Sequence, residues 1–311
     1  MSETSDKIRK LFKAGDDIRD AGLKEPEDVE KYRDIRYGTE DPMQVMDVYR
    51  PAGQEGLLPV IVSVHGGGWV YGDKERYRFY CMDLARRGFA VVNFSYRLAP
   101  EHKFPAPLED ANLVFDWMAE HGKAYGMDLE KVFAVGDSAG GNILSLYLAA
   151  CTSASFKEKW EKEYRLQIQD SISVRAAALN CGVYKIEKDM GGDTPALMED
   201  YLPGKGTEEE LDMISSISHI TGNYPPVFLM TSSGDFTQSQ ALSMAECLME
   251  RKVPFLFRFY DNETHDLKHV FHVDMKCPQA IICNDETCRF FKEILARRCG
   301  IRSERLSRHG S

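Results

Sequence analysis

The chain lacks long hydrophobic runs. Its longest apolar stretch, from Leu57 to Val64, is interrupted by Pro59 and Ser63 and is far shorter than the about 20 residues that a bilayer-spanning helix needs. The first ten residues carry charges where a signal peptide has an apolar segment. These absences argue against a membrane protein or a secreted one, and they predict a cytoplasmic protein with no membrane partner.

Basic residues are in the minority, with 39 Lys and Arg against 49 Asp and Glu, for a formal net charge of −10. A nucleic-acid partner requires a basic surface, so we expect none.

The eight cysteines include no Cys-x-x-Cys pair. We therefore predict reduced, mostly buried thiols rather than a disulfide framework.

The chain does contain short apolar runs that alternate with amphipathic segments. Their content of Val, Ile, Phe and Ala without strict alternation is typical of strands covered on both faces of a sheet. The predicted strands are Met46–Tyr49, Val60–Val64, Ala90–Ser95, Val132–Gly136, Arg175–Asn180, Val227–Thr231 and Phe255–Tyr260. The predicted helices between them are Arg76–Arg87, Leu108–His121, Asn142–Cys151, Ser239–Arg251 and Thr287–Arg298. This alternation predicts an α/β fold with a mostly parallel sheet in a single domain, residues 1–311.

Two segments interrupt the alternation, at about residues 1–40 and 185–222. The first has an apolar helical face, and the second contains polar turns with short helices near Leu197–Leu202 and Glu208–Ile214. Long insertions of this kind usually cover a functional site. We predict that both segments form a small helical cap over the sheet, with plain packing elements as the alternative.

The strongest local motif is the Gly-Asp-Ser-Ala-Gly-Gly run from Gly136 to Gly141. It follows a predicted strand and precedes a predicted helix, which is the arrangement of a nucleophile elbow. Such a turn exposes a serine hydroxyl, here that of Ser138, beside a helix N-terminus that favours negative charge. The pattern alone also arises by chance, so a second motif is needed.

That second motif is the His-Gly-Gly-Gly-Trp run from His65 to Trp69, directly after another strand. Consecutive glycines leave peptide N–H groups exposed, so the loop can supply two donors to an oxyanion, with a third from Ala139. We assign the two to Gly66 and Gly67, and we expect His65 to orient the loop. A phosphate-binding loop is disfavoured because no Lys-Ser/Thr pair follows.

A third block, from Ser95 to Ala111, reads Ser-Tyr-Arg-Leu-Ala-Pro-Glu-His-Lys-Phe-Pro-Ala-Pro-Leu-Glu-Asp-Ala. Together and in this order, the three blocks resemble the hormone-sensitive-lipase-like (family IV) branch of the α/β-hydrolases, with its HGGG, YRLAPE and GDSAGG motifs. The resemblance covers about residues 42–298. It implies an α/β-hydrolase fold, a serine esterase and a Ser-Asp-His order of the catalytic groups along the chain.

The acid is placed by that order and by its position after a late strand. Asp235 follows Val227–Thr231 in a turn that resembles the acid turn of the family, although the usual Asp-Pro-Leu is Asp-Phe-Thr here. Asp261 and Asp266 remain alternatives.

The histidine belongs to the segment after the last strand, from Asp261 to His272. His269-Val-Phe is the best match to the His-Gly-Phe of the family, although Val270 replaces the glycine. His265 and His272 are the alternatives for the base.

A zinc hydrolase is a rival interpretation, because His265-Asp-Leu-Lys-His269 resembles the H-E-x-x-H motif. That motif needs a continuous helix and a glutamate base, and the metal would leave both glycine motifs unexplained.

The resemblance therefore implies a short-chain acyl or acetyl esterase with the triad Ser138, His269 and Asp235, acting on a small-molecule ester. No metal and no organic cofactor is expected. Dimers are common in that family, so a homodimer is the expected assembly. An arylformamidase-type amidase and a non-catalytic ligand-binding relative are the alternatives. Four residues of the second cap segment either line the substrate pocket or pack within the cap: Leu197, Met198, Tyr201 and Leu202.

Overall fold

A computed structural model describes residues 2–307, with side chains described for residues 2–296. Its strands are β1 (Val29–Arg36), β2 (Val45–Pro51), β3 (Leu58–Val64), β4 (Ala90–Phe94), β5 (Met127–Asp137), β6 (Val174–Asn180), β7 (Val227–Ser232) and β8 (Phe255–Tyr260). They form one sheet in the order β1-β2-β4-β3-β5-β6-β7-β8. The pairs β1–β2 and β2–β4 are antiparallel, and every other neighbouring pair is parallel.

Helices lie on both faces of this sheet. They are α1 (Glu3–Asp20), α2 (Lys74–Ala85), α3 (Ala106–His121), α4 (Ser138–Thr152), α5 (Ala154–Tyr164), α6 (Thr194–Tyr201), α7 (Glu208–Ile214), α8 (Gln238–Glu250) and α9 (Pro278–Ser307). Within residues 2–307, none of them has both the length and the hydropathy that crossing a membrane requires.

The core is divided by the sheet into two layers. Val60 and Val62 of β3 belong to the layer that includes α3, α4 and α8, whereas Ile61 between them belongs to the layer of α2 and α9. Successive side chains of a strand point to opposite faces, so a strand buried on both faces needs apolar residues at consecutive positions. The predicted α/β class with a mostly parallel sheet is confirmed.

Residues 29–36 correct the predicted cap. They form the edge strand β1 rather than part of a helical cap over residues 1–40. The strand was missed because only one of its eight residues, Val29, is buried, and its sequence, Val-Glu-Lys-Tyr-Arg-Asp-Ile-Arg, contains no apolar run. An edge strand with one solvated face can be polar at most positions.

The remaining parts of the two segments lie next to each other. Helix α1 contacts α6, where the Ser5 hydroxyl donates to Asp200 and Lys7 forms an ion pair with Asp193 at 3.2 Å. Helix α7 has the predicted bounds and begins with a capping box between Thr207 and Glu210.

The seven cysteines with described side chains are free thiols, and Cys299 lies outside these residues.

Candidate active site

Ser138 stands at the turn between β5 and α4. Its backbone has φ +51°, in the left-handed region that is unfavourable for a residue with a side chain. The turn is tight enough that a Cβ on Gly140 would lie 2.2 Å from the carbonyl oxygen of Val64. Glycine is therefore required at position 140, and the hydroxyl of Ser138 is held at the N-terminus of α4.

Asp235 follows β7 in a turn before α8, with its side chain fully buried. Its Oδ2 accepts a hydrogen bond from the Thr231 hydroxyl at 2.6 Å. Its Oδ1 accepts from the N–H and the hydroxyl of Thr237, at 2.9 and 2.8 Å. The carboxylate is thus fixed in one orientation by both strand and turn.

Burial raises the pKa of Asp235, but hydrogen bonds outweigh it. The hydrogen bond and the electrostatic interaction with His269, followed by the hydrogen bonds from Thr231 and Thr237, hold the pKa of this carboxyl well below its usual range. The group is therefore ionised at neutral pH and able to orient an imidazole.

His269 is the histidine that the structure places beside this acid. Its Nδ1 lies 2.6 Å from Asp235 Oδ1, and its side chain is 16% exposed. The ring of Phe236 covers one side of the imidazole, with ring centroids 4.3 Å apart. His265 is exposed and hydrogen-bonds Asp261, and His272 is completely buried. Of the three histidines proposed from sequence, only His269 contacts Asp235.

The glycine loop requires one correction. The N–H of Gly66 donates to the hydroxyl of Tyr77 at 2.9 Å, so it is not free for an oxyanion as the sequence suggested. The N–H groups of Gly67 and Gly68 have no acceptor among residues 2–307. Ala139, in the first turn of α4, also has an N–H without an intrahelical acceptor. The available donors are therefore those of Gly67, Gly68 and Ala139.

The loop conformation depends on its second glycine. Gly67 has φ +130°, and a Cβ there would lie 2.0 Å from the carbonyl oxygen of Tyr71. As expected from the sequence, His65 orients the loop, since its Nδ1 is 2.7 Å from the carbonyl oxygen of Gly66. A carbonyl only accepts, so Nδ1 carries the proton. Burial lowers the pKa of His65 to about 4, which keeps this ring neutral.

These groups line one cavity of about 850 Å³. Ser138, His269, Ala139 and the three glycines of the loop all contribute to its wall. Its apolar part includes Trp69, Val183, Leu197 and Phe236, and its polar part includes Asp16, Arg19 and Tyr71. Of the four cap residues named from sequence, Leu197 lines the cavity, whereas Met198, Tyr201 and Leu202 are buried in the core.

The zinc interpretation lacks its structural requirement. The segment from His265 to His269 is not a helix, and His265 has φ +54° in a turn. Ligand atoms of Cys181, Asp235 and His269 do lie within 4.8 Å of one another. However, the 2.6 Å between His269 and Asp235 is a hydrogen-bond distance, shorter than the roughly 3.3 Å between two ligands of a tetrahedral zinc ion. A metal there would have to break that hydrogen bond.

Sequence reasoning missed three residues at this site. Asp137, directly before the serine, could have been noticed from its place in the motif. Phe236 occupies a position where the sequence departs from the family pattern. Tyr77 carries no local signal, because its contact with Gly66 depends on how α2 packs against the loop.

Known proteins resemble this chain in sequence. The BD-FAE family profile matches residues 46–245. Versiconal hemiacetal acetate esterase of Dothistroma septosporum is 25% identical over 241 residues, which are 70% of this chain and 69% of that protein. Carboxylesterase NlhH of Mycobacterium tuberculosis is 28% identical over 217 residues, covering 65% of this chain and 64% of NlhH. The match therefore spans just under two thirds of NlhH.

Similar folds are found among solved structures. Esterase B from Lactobacillus Rhamnosis (HN001) has a TM-score of 0.86 and 27% identity, covering 96% of this chain and 98% of that one. A second structure of this esterase is described as inhibited by a C4-C4 SN3 tributyrin phosphonate. The profile match covers more than half of the chain, and the motifs and the sheet agree with it. This chain belongs to the BD-FAE family, among the hormone-sensitive-lipase-like (family IV) esterases of the α/β-hydrolase fold.

Proposed function

We propose that this protein is a serine carboxylesterase that hydrolyses short-chain acyl esters through an acyl-enzyme. One observation carries the proposal. The imidazole of His269 is hydrogen-bonded at 2.6 Å to the buried, ionised Asp235, in the same cavity as Ser138 and three peptide N–H groups without acceptors. This set of groups can attack the carbonyl of a carboxylic ester.

In the first half of the reaction, Ser138 attacks the ester carbonyl while His269 takes the hydroxyl proton on Nε2. Asp235 holds the Nδ1–H tautomer and stabilises the imidazolium that forms. The N–H groups of Gly67, Gly68 and Ala139 bind the tetrahedral oxyanion, and each contributes on the order of 3 kcal/mol to lowering the barrier. His269 then protonates the leaving alcohol, and the acyl group stays on the serine.

In the second half, water replaces the alcohol. His269 removes a proton from the water as it attacks the acyl-enzyme, the same donors bind the second oxyanion, and Ser138 leaves with the returned proton. The products are a carboxylic acid and the free enzyme. No step in this sequence requires a metal ion or an organic cofactor.

The cavity supports small esters as substrates. Its volume of about 850 Å³ is that of a small-molecule pocket, with an apolar part beside Ser138 that suits a short acyl chain. The names of two relatives agree with this size, because one esterase is described as acting on an acetate and the other as inhibited by a C4-C4 phosphonate. We therefore propose acyl chains of about two to six carbons.

The test is hydrolysis of p-nitrophenyl esters from C2 to C12 by the wild type and by Ser138→Ala. We expect activity that is highest on the short chains and lost in the variant by a factor of at least about 10⁴. Activity that survives in Ser138→Ala would refute the mechanism. Activity that rises toward C12 would refute the proposed acyl length but not the serine.

The homodimer and the cytoplasmic location stay predictions from the sequence. Light scattering at assay concentration measures the first, and a mass of one chain, 35.3 kDa, would contradict it.

A further inference from the structure

Two buried side chains connect the glycine loop to the nucleophile turn. The Tyr77 hydroxyl accepts the N–H of Gly66 at 2.9 Å and donates to Asp137 Oδ2 at 2.6 Å. Tyr77 is 6% exposed and Asp137 is 2% exposed. The tyrosine oxygen thus accepts from a backbone N–H, and its proton points to the carboxyl group.

The peptides of the loop are held at their other ends as well. The carbonyl oxygen of His65 accepts from the Tyr96 hydroxyl at 2.9 Å, and that of Gly66 is held by the His65 ring. The carbonyl oxygen of Gly67 accepts from the N–H groups of Val70 and Tyr71, at 3.2 and 3.0 Å. In a trans peptide the C=O and N–H point in opposite directions. Fixing the carbonyls of Gly66 and Gly67 therefore fixes the N–H groups of Gly67 and Gly68.

The Tyr77 contact completes this arrangement at the start of the loop. Glycines have few conformational restraints of their own, so the loop relies on outside contacts to keep one conformation. Asp137 directly precedes Ser138, so the same hydrogen-bonded chain also sets where the loop lies relative to the serine. Oxyanion donors work only when they are held within about 0.5 Å of the productive geometry.

From these contacts we infer that Tyr77 and Asp137 are positioning residues for the oxyanion hole. They hold the peptide of Gly66 against the nucleophile turn, so that the N–H groups of Gly67, Gly68 and Ala139 converge on one oxyanion. Both residues also contribute to the wall of the cavity, and the inferred role acts through the peptide of Gly66. This role rests on the proposed function, since it presupposes an oxyanion formed by attack of Ser138.

The test uses Tyr77→Phe, with Tyr80→Phe as the matched control. Tyr80 lies on the same helix, is 2% exposed and packs edge-to-face on Tyr77 and His272. The measurements are kcat and KM with p-nitrophenyl acetate, and the inhibition constants of an alkyl trifluoromethyl ketone and of the corresponding unfluorinated ketone. The fluorinated ketone forms an anionic tetrahedral adduct with a serine, whereas the other ketone reports binding of the neutral carbonyl.

For Tyr77→Phe we expect kcat to fall by about 10- to 100-fold with KM within about threefold of the wild type. Affinity for the trifluoromethyl ketone should fall by a similar factor, while affinity for the plain ketone is kept. Tyr80→Phe should leave all four quantities within about twofold. Unchanged kcat in Tyr77→Phe, or equal loss of affinity for both ketones, would overturn the positioning role.

A second pair of variants keeps the test valid if Tyr77→Phe does not fold. Asp137→Asn retains an oxygen that can accept from Tyr77, whereas Asp137→Ala does not. We expect kcat to be partly kept in the first and lowered as in Tyr77→Phe in the second; equal values would contradict the inference. Hydrolysis that persists in Ser138→Ala would instead refute the proposed function, so the two failures can be told apart.

Discussion

At the scale of single residues, burial distinguishes the Asp235–His269 pair from a second pair of an aspartate and a histidine in the same chain. Asp235 accepts hydrogen bonds from Thr231, Thr237 and His269 with no exposed surface on its side chain. The pair His265 and Asp261 has the same chemistry, but the His265 side chain is 79% exposed. Solvent competes for the exposed pair, so it cannot hold an imidazole in one orientation as the buried pair does.

We expect Asp235→Asn to lower kcat by about 10³- to 10⁴-fold, because the amide favours the wrong imidazole tautomer. The matched control is Asp261→Asn, which should leave kcat within about twofold. Stopped-flow or steady-state hydrolysis of p-nitrophenyl acetate measures both. The reverse pattern would transfer the base role to His265.

The site residues differ in how far the sequence could predict them. Ser138, Asp235 and His269 follow the ends of strands, and strand ends are visible as the limits of apolar runs. Which N–H groups of the glycine loop lack an acceptor could not be read from the sequence, because the N–H of Gly66 donates to Tyr77. That bond joins a loop to a helix 11 positions along the chain, and no periodicity in the sequence records how their surfaces meet.

At the scale of elements, the segments that escaped prediction are polar. Strand β1 lies at the sheet edge, and helix α5 buries only Phe156 and Trp160 among its 11 residues. Patterns of apolar residues detect elements that are buried on a wide face. Strands β2 to β7 have that property. Strand β8 lies at the other edge and buries only Tyr260, but it begins with the apolar run Phe-Leu-Phe, which β1 lacks.

Arg9 is one of several side chains that attach helix α1 to the rest of the molecule, together with Ser5, Lys7 and Arg19. The Arg9 guanidinium donates to the carbonyl oxygens of Val70 and Ala99, at 2.8 and 2.9 Å, and binds Glu101. Leu11 and Phe12 on the same helix line the cavity beside Ser138. We therefore expect loss of the Arg9 side chain to affect both the position of the helix and the wall of the cavity.

Arg9→Ala should lower the free energy of unfolding by about 1–2 kcal/mol, since two carbonyls lose a charged donor. KM for p-nitrophenyl butyrate should rise as the helix loosens over the cavity. Urea unfolding and steady-state kinetics measure the two effects. Lys13→Ala is the control, because its ion pair with Asp17 is exposed and contributes little; a similar loss there would show that α1 is not held by Arg9.

At the scale of the whole molecule, buried titratable groups make stability depend on pH. Burial lowers the pKa of His65 to about 4 and that of His272 to about 3, from 6.5 in the unfolded chain. Between about pH 4 and 6.5 the unfolded chain binds protons at both rings and the folded protein does not. These two residues therefore make the folded state less stable as the pH falls through this range.

Asp137 has the opposite effect. Burial raises its pKa from 3.8 to about 7, although the hydrogen bond from Tyr77 and the charge of Arg19 on α1 lower it, while Asp16 of α1 adds to the rise. Between about pH 4 and 7 the folded protein retains a proton on Asp137 that the unfolded chain has released. This residue therefore makes the folded state less stable as the pH rises through this range.

We predict that Asp137→Asn steepens the pH dependence of stability. Each proton bound in only one of the two states changes the free energy of unfolding by about 1.4 kcal/mol per pH unit. Without the carboxyl group of Asp137, which opposes the two histidines, the free energy of unfolding should rise more steeply with pH between 4.5 and 6.5. Urea titrations at three pH values in this range give the slope. Asp170→Asn, on an exposed loop, is the control, and an equal slope in wild type and Asp137→Asn would contradict the shifted pKa of Asp137.

The order of the strands has a consequence for how the proposed catalytic groups are distributed along the chain. The loop between α5 and β6, residues 165–173, separates the glycine loop and Ser138 from Asp235 and His269. A cut there would leave the Ser138 hydroxyl on one fragment and the hydrogen-bonded Asp235 and His269 on the other. The two fragments would meet again along the β5–β6 pairing. The proposed mechanism needs groups from both fragments, so release of p-nitrophenol from an ester would report that the fragments had reassembled.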